Sequence, residues 1–267
     1  KILIDCGMVQ GGHYAEQINY ESFPYNPTSI DVLVVTHAHA DHIGRIPKLV
    51  KDGFKGVIYS TPATRDLAEV MFADSVRIIA LEAKVHEHDP LYESFHVEDT
   101  FKLWQTRKYH ETFDVEDGVS ARFLNAGHIL GSSMVEFTRS GRKFVLSGDL
   151  GNSPAPLLPD TDDVTDANYL LIESVYGDRV HENLEDRVGL LKNALIDTHE
   201  RKGTLLIPAF AMQRTQLLLY EINKLVEQNE APEMPVFLDS PLAIRVTDIY
   251  KNYTNLLNER VQKEIAT

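Results

Sequence analysis

The stretch Thr36-His37-Ala38-His39-Ala40-Asp41-His42-Ile43-Gly44 constrains this chain more than any other. It follows the apolar run Val32-Leu33-Val34-Val35 and precedes the helix-like Ile43-Gly44-Arg45-Ile46-Pro47-Lys48-Leu49-Val50, so it reads as a buried strand, a turn and a helix. Three imidazoles and one carboxylate within six residues are the nitrogen and oxygen ligands that borderline cations such as Zn²⁺ prefer. A solvated turn with chance histidines does not account for that density. Neighbouring side chains on a strand-to-helix turn point in different directions, so one turn can serve two metals.

At 267 residues the chain is long enough for a large core and one or two domains. The 43% apolar content suits an α/β protein, and no apolar run approaches the roughly 18 residues that span a membrane. Cys6 is the single cysteine, which excludes a disulfide framework and fits a reducing, cytoplasmic setting. Lys1 already lies inside an apparent strand, Lys1-Ile2-Leu3-Ile4-Asp5, so the natural amino terminus is expected upstream. A formal charge of −14 argues against a broad phosphate-binding surface, although divalent cations in a cleft would reverse the sign locally.

Ile2-Leu3-Ile4 runs into the turn Asp5-Cys6-Gly7, and Gly11-Gly12-His13 reads as a loop with a non-ligating His13. Val57-Ile58-Tyr59-Ser60 is a short strand, and Thr61-Pro62 opens a helix through about Asp74, with Thr61 as its cap. His86-Glu87-His88-Asp89 imitates a ligand cluster, but it follows a helical pattern and ends at Pro90, so a solvated helix end is expected. The alternating strand Val119–Leu124 delivers His128 between Gly127 and Gly131. The hairpin Ser133–Phe137 and Lys143–Leu146, closed at Ser140-Gly141, ends in Ser147-Gly148-Asp149. One His or one Asp after a strand is a weak signal by itself.

In this order after His-x-His-x-Asp-His, the set resembles the metallo-β-lactamase superfamily. The resemblance implies that His37, His39 and His128 hold one metal, that Asp41 and His42 hold a second, and that Asp149 bridges them. It also implies that Asp5 orients a ligating histidine from behind. The implied cofactors are two Zn²⁺, with Mn²⁺ an alternative.

Later segments narrow the resemblance. Tyr169-Leu170-Leu171-Ile172, read as a buried strand, leads into Glu173-Ser174-Val175-Tyr176-Gly177-Asp178-Arg179-Val180-His181, which resembles the acidic motif opening the β-CASP branch of RNA-processing nucleases. That branch usually carries Thr where Val175 stands. Asn183-Leu184-Glu185-Asp186 reads as a helix cap, with Leu184, Val188, Leu191 and Leu195 as a core stripe. Thr204–Ile207 reads as a strand. It runs into Pro208-Ala209-Phe210-Ala211-Met212-Gln213-Arg214-Thr215-Gln216 and the helix bearing Leu218, Leu219, Ile222, Leu225 and Val226. That turn and Phe237-Leu238-Asp239-Ser240-Pro241-Leu242-Ala243 are similar to further β-CASP motifs. A guanidinium one turn inside a helix start makes Arg214 a candidate phosphate contact.

The expected fold is therefore an α/β, four-layer αββα metallo-β-lactamase sandwich over residues 1–179, incomplete at its amino end, with part of an inserted β-CASP α/β domain over 180–267. Substrate is expected in the cleft between them. The resemblance implies hydrolysis of RNA phosphodiester bonds by a metal-activated hydroxide, with Asp41, Asp149 and Glu173 as catalytic carboxylates. The expected substrate is single-stranded RNA, without a membrane, and with room for a homo-oligomer or a processing-complex partner. Two further histidines that the branch places after this region are absent beyond Asp239, so the chain reads as truncated at both ends. A DNA nuclease of the same branch, a thioester or lactam hydrolase, and a non-catalytic RNA-binding relative are the alternatives. The small-molecule hydrolase would not need residues 181–267, and the non-catalytic relative should show eroded ligands.

Overall fold

A computed structural model describes residues 1–179 and 184–265, so His181 and the expected cap at Asn183 lie outside the described residues. Two compact units emerge, one formed by residues 1–173 with 255–259 and the other by 174–254 with 260–267.

The first unit holds two sheets. In one, β1 (Ile2–Ile4), β2 (Val32–Val34), β3 (Val57–Ser60) and β4 (Trp104–Thr106) run parallel in that order. In the other, β5 (Thr112–Glu116), β6 (Val119–Asn125), β7 (Ser133–Arg139) and β8 (Arg142–Leu146) are antiparallel, and β9 (Tyr169–Leu171) joins β8 in parallel. Period-2 alternation sends Val32, Val34 and Tyr59 from the first sheet against Phe113, Val115, Ala121, Phe123, Val135 and Phe137 from the second. That inter-sheet layer is the core. Leu33 and Ile58, pointing the opposite way, are fully buried as well, which makes the parallel strands read as continuous apolar runs. Phe123→Ala is expected to cost about 3–5 kcal/mol, measured by chemical denaturation, because a fully buried ring leaves a cavity between two rigid sheets.

The helices of this unit are α1 (His13–Tyr20), α2 (Ala40–Ile43), α3 (Ile46–Lys51), α4 (Pro62–Val85) and α5 (Ser94–Lys102). α4 packs against β4 and α5, and α3 against α5. The Thr61 hydroxyl accepts from the Thr64 amide at 3.2 Å, the expected cap. α4 runs eleven residues past the expected stop at Asp74, because no Gly or Pro interrupts it and Ile79 and Ala83 extend the buried stripe of Leu67 and Phe72. It ends at His86, with Glu87 at φ +56°, so His86 to Asp89 form an exposed helix end as expected. α1 replaces the expected loop at His13: two glycines precede a run of helix-compatible residues, and Gly12 takes the capping position. The His13 side chain lies outside the described ones. Ser140 and Gly141 at φ +51° and +75° close the β7–β8 hairpin in the way a two-residue turn requires.

Two readings of apolar runs differ from the structure. The expected buried strand Tyr169–Ile172 is the edge strand β9 as far as Leu171, but Tyr169, Leu170, Leu171 and Ile172 are each more than half exposed, because among the described residues nothing covers either face of it. Thr204–Ile207 forms no strand and has no ladder partner among the described residues, and Leu206 is 84% exposed.

The second unit contains α6 (Leu184–Glu200), α7 (Arg214–Glu227), α8 (Pro241–Asn252) and most of α9 (Glu259–Ile265). Leu195 of the expected stripe packs with Leu225 and Ala231, and Val188, Leu191 and Ile222 pack around them. Ser240 caps α8 by accepting from the Ala243 amide at 3.2 Å. The Gln216 amide donates to the Thr247 hydroxyl at 2.9 Å, joining α7 to α8. No helix among the described residues is long and apolar enough to cross a membrane.

Candidate metal centre

Strand direction decides where the polar residues gather. β1 and β2 are parallel, β6, β8 and β9 run in one direction within their own sheet, and the segments leaving their carboxyl ends carry Asp5, His37, His128, Asp149 and Glu173. The two sheets are tied together at this rim, where the Ser133 amide donates to the Thr36 carbonyl at 2.8 Å.

His37 leaves β2 fully buried. His39 takes the capping position of α2, whose first turn carries Asp41 and His42. The His128 amide donates to the Ser132 hydroxyl at 3.1 Å, and the same turn is anchored by Thr61 and Thr64, whose hydroxyls donate to the Gly131 carbonyl at 2.7 and 2.8 Å. The Gly151 amide donates to the Ala126 carbonyl at 2.9 Å, clamping the Asp149 turn onto the His128 turn.

The result is two clusters sharing one carboxylate. Candidate ligand atoms of His37, His39, His128 and Asp149 all lie within 4.8 Å of one another, and so do those of Asp41, His42 and Asp149. His39 Nδ1 is 3.0 Å from His37 Nε2 and 3.1 Å from His128 Nε2. Asp149 Oδ2 lies 3.8 and 3.6 Å from those two nitrogens, while Oδ1 faces His42 Nε2 at 3.2 Å. Asp41 Oδ2, on a side chain 46% exposed, is 3.9 Å from His42 Nε2.

This donor set fits a divalent cation. One imidazole nitrogen offers a single proton or a single lone pair, so His39 Nδ1 cannot satisfy two ring nitrogens by sharing protons. A cation among three lone pairs and a carboxylate oxygen can. Burial, reinforced by repulsion from His42 and its other imidazole neighbours, holds His37 well below the ordinary histidine range. Burial and His128 push His39 down to about 4, and burial lowers His128. These three rings are therefore neutral near pH 7, as ligation requires. His42 differs. Burial opposes its charge, but hydrogen bonds to Asp149 and Asp5 outweigh that and push it up to about 10, so a cation held at His42 Nε2 must take the place of the proton shared with Asp149, which is itself held low by that hydrogen bond.

Asp5, at φ +56°, stands behind both clusters. Its Oδ2 accepts from His42 Nδ1 at 2.7 Å and from the Thr36 hydroxyl at 2.8 Å, and its Oδ1 accepts from the Thr36 amide at 2.8 Å. Glu173 Oε1 accepts from the Leu150 amide at 3.2 Å, next to Asp149, and the Glu173 amide donates to the Ser147 hydroxyl at 3.0 Å. The structure thus brings together His37, His39, Asp41, His42, His128, Asp149, Asp5 and Glu173. Arg214 belongs to the other unit, as the exposed first residue of α7. Sequence reading passed over Thr36, whose only signal was a hydroxyl directly before the histidine run.

The family described as Metallo-beta-lactamase superfamily matches residues 1–180, and the Beta-Casp domain matches 215–266. Ribonuclease TTHA0252 of Thermus thermophilus is 35% identical over 98% of this chain and 58% of its own length. Cleavage and polyadenylation specificity factor 73 of Drosophila melanogaster is 31% identical over 100% of this chain and 38% of its own. Transcription termination factor FttA of Methanosarcina mazei is 34% identical over 99% and 42%. The chain thus spans from under two fifths to just under three fifths of the length of these relatives. Matched along its sheets, its ligand-rich turns and its last helices, the chain belongs to the metallo-β-lactamase superfamily and, within it, to the β-CASP branch.

Proposed function

We propose that this chain carries the metal-binding part of a ribonuclease that hydrolyses phosphodiester bonds of single-stranded RNA. The observation that carries the proposal is the pair of ligand clusters sharing Asp149 at one strand rim. In this reading His37, His39, His128 and Asp149 hold one Zn²⁺, and Asp41, His42 and Asp149 hold another, with Mn²⁺ as the alternative. Divalent cations supply, when bound, Lewis acidity toward phosphoryl oxygens and a water acidic enough to attack phosphorus near neutral pH. A local excess of positive charge would also draw a polyanion toward a chain of net charge −14.

The chain's own groups have separable tasks. The neutral rings of His37, His39 and His128 present lone pairs. Asp149 faces both clusters with different oxygens. Asp41, the more exposed carboxylate, would help hold the second cation beside His42. Glu173 holds the Asp149 turn through the Leu150 amide. The preference for RNA over DNA rests on the relative named as a ribonuclease, and a cytoplasmic setting on the single cysteine, Cys6, which fits a reducing compartment.

The test is cleavage of 5′-labelled single-stranded RNA and of DNA of the same sequence. Cutting of RNA alone, stopped by chelator and restored by zinc, is expected, and the product ladder separates exonucleolytic from endonucleolytic action. Metal-loaded protein that cuts neither polymer would overturn the proposal and redirect attention to thioesters and lactams. Arg214→Ala should weaken RNA binding about tenfold and reduce its salt dependence by about one phosphate's worth, with zinc content unchanged, as measured by titration at several salt concentrations.

A further inference from the structure

Asp5, Thr36 and His37 form a directional chain. A carboxylate only accepts, so the Thr36 hydroxyl, 2.8 Å from Asp5 Oδ2, spends its single proton there. Its oxygen then faces His37 Nδ1 at 3.0 Å with lone pairs alone, and that contact is a hydrogen bond only if Nδ1 carries the proton. The lone pair of His37 is thereby left on Nε2, the nitrogen beside His39 Nδ1 and Asp149. The same Asp5 oxygen accepts from His42 Nδ1 at 2.7 Å, which turns His42 Nε2 toward Asp149. One carboxylate thus acts directly on the second cluster and, through one hydroxyl, on the first.

We propose that Thr36 is a positioning residue that fixes the tautomer of His37, so that Asp5 orients one ligand in each of the two clusters. The inference rests on the reading of His37 as a cation ligand, and it adds a residue that acts without touching cation or substrate. The Thr36 backbone does not depend on the hydroxyl: its amide donates to Asp5 Oδ1 and its carbonyl accepts from both the amide and the hydroxyl of Ser133. Thr36→Val, nearly the same shape, therefore removes the relay and leaves the main chain held.

The experiment combines nitrogen-15 NMR of the histidine rings in chelator-treated protein with zinc titration of wild type, Thr36→Val and Thr36→Ser. Wild type should show His37 protonated on Nδ1. Thr36→Val should shift His37 toward the other tautomer and lower affinity for zinc by about tenfold or more, and Thr36→Ser should restore both. A wild-type tautomer and wild-type zinc affinity in a folded Thr36→Val variant would overturn the proposal. If Thr36→Val fails to fold, the wild-type spectrum decides: His37 protonated on Nδ1 supports the relay, and His37 protonated on Nε2 overturns it. A tautomer that follows the hydroxyl in protein that binds no zinc would support the positioning while overturning the cation reading.

Discussion

Asp149→Ala is expected to lose zinc from both clusters and to lower RNA cleavage by about 10³-fold or more, the scale on which removal of a principal charge-stabilising group acts. Among the described residues Asp149 alone is common to the two clusters, so its loss differs in kind from loss of a histidine. Without it His42 keeps Asp5 but loses the carboxylate at 3.2 Å, and His37 and His128 lose the nearby negative charge that would stabilise a cation held between their rings. A thermal readout separates binding from chemistry. Zinc at about 1,000 times its Kd should stabilise wild type by about 4 kcal/mol, and the variant should show no such shift at the same concentration. Retention of two zinc ions by Asp149→Ala would contradict the shared role.

Gly7→Ala is expected to cost about 3 kcal/mol or more and to lower Tm by about 10 °C, with zinc lost in parallel. A Cβ on Gly7 would lie 1.5 Å from the Asp41 carbonyl oxygen and 2.5 Å from the His42 amide nitrogen, and neither can swing away as a flexible side chain would. The surrounding backbone is pinned: the Cys6 amide donates to the His42 carbonyl at 2.7 Å, the Met8 amide to the Ala40 carbonyl at 2.9 Å, and the Arg45 amide to the Cys6 carbonyl at 2.9 Å. The segment after β1 is thus laid directly on the turn that carries the ligands. Relief of the clash must move α2, and with it Asp41 and His42. A melting temperature within about 1 °C of wild type, with normal zinc content, would contradict this packing.

The candidate centre was legible because its parts are local. Each ligand follows a strand within a few residues, so a short apolar run and the polar residue after it carry both the element and the site. Val32 to His42 and Lys143 to Asp149 show this directly. Burial of Tyr169–Ile172 was not legible in the same way, since an apolar run states a capacity to be covered and not whether anything covers it. Thr204–Ile207 likewise has strand-like residues, but a ladder needs a partner that no local pattern supplies. The length of α4 was missed for another reason: charges in its second half hide the buried Ile79 and Ala83, and the stripe becomes visible only when Leu91 and Tyr92 are found packed with Ile79. Thr36 escaped notice because its role depends on Asp5, thirty-one residues earlier, being folded beside it.

The most direct test of the central claim is anomalous scattering at the zinc edge from crystals of the protein. The account predicts two peaks per chain, one beside His37, His39 and His128 and one beside Asp41 and His42, with Asp149 reaching both. A peak elsewhere, or none at either cluster in zinc-loaded protein, would contradict it.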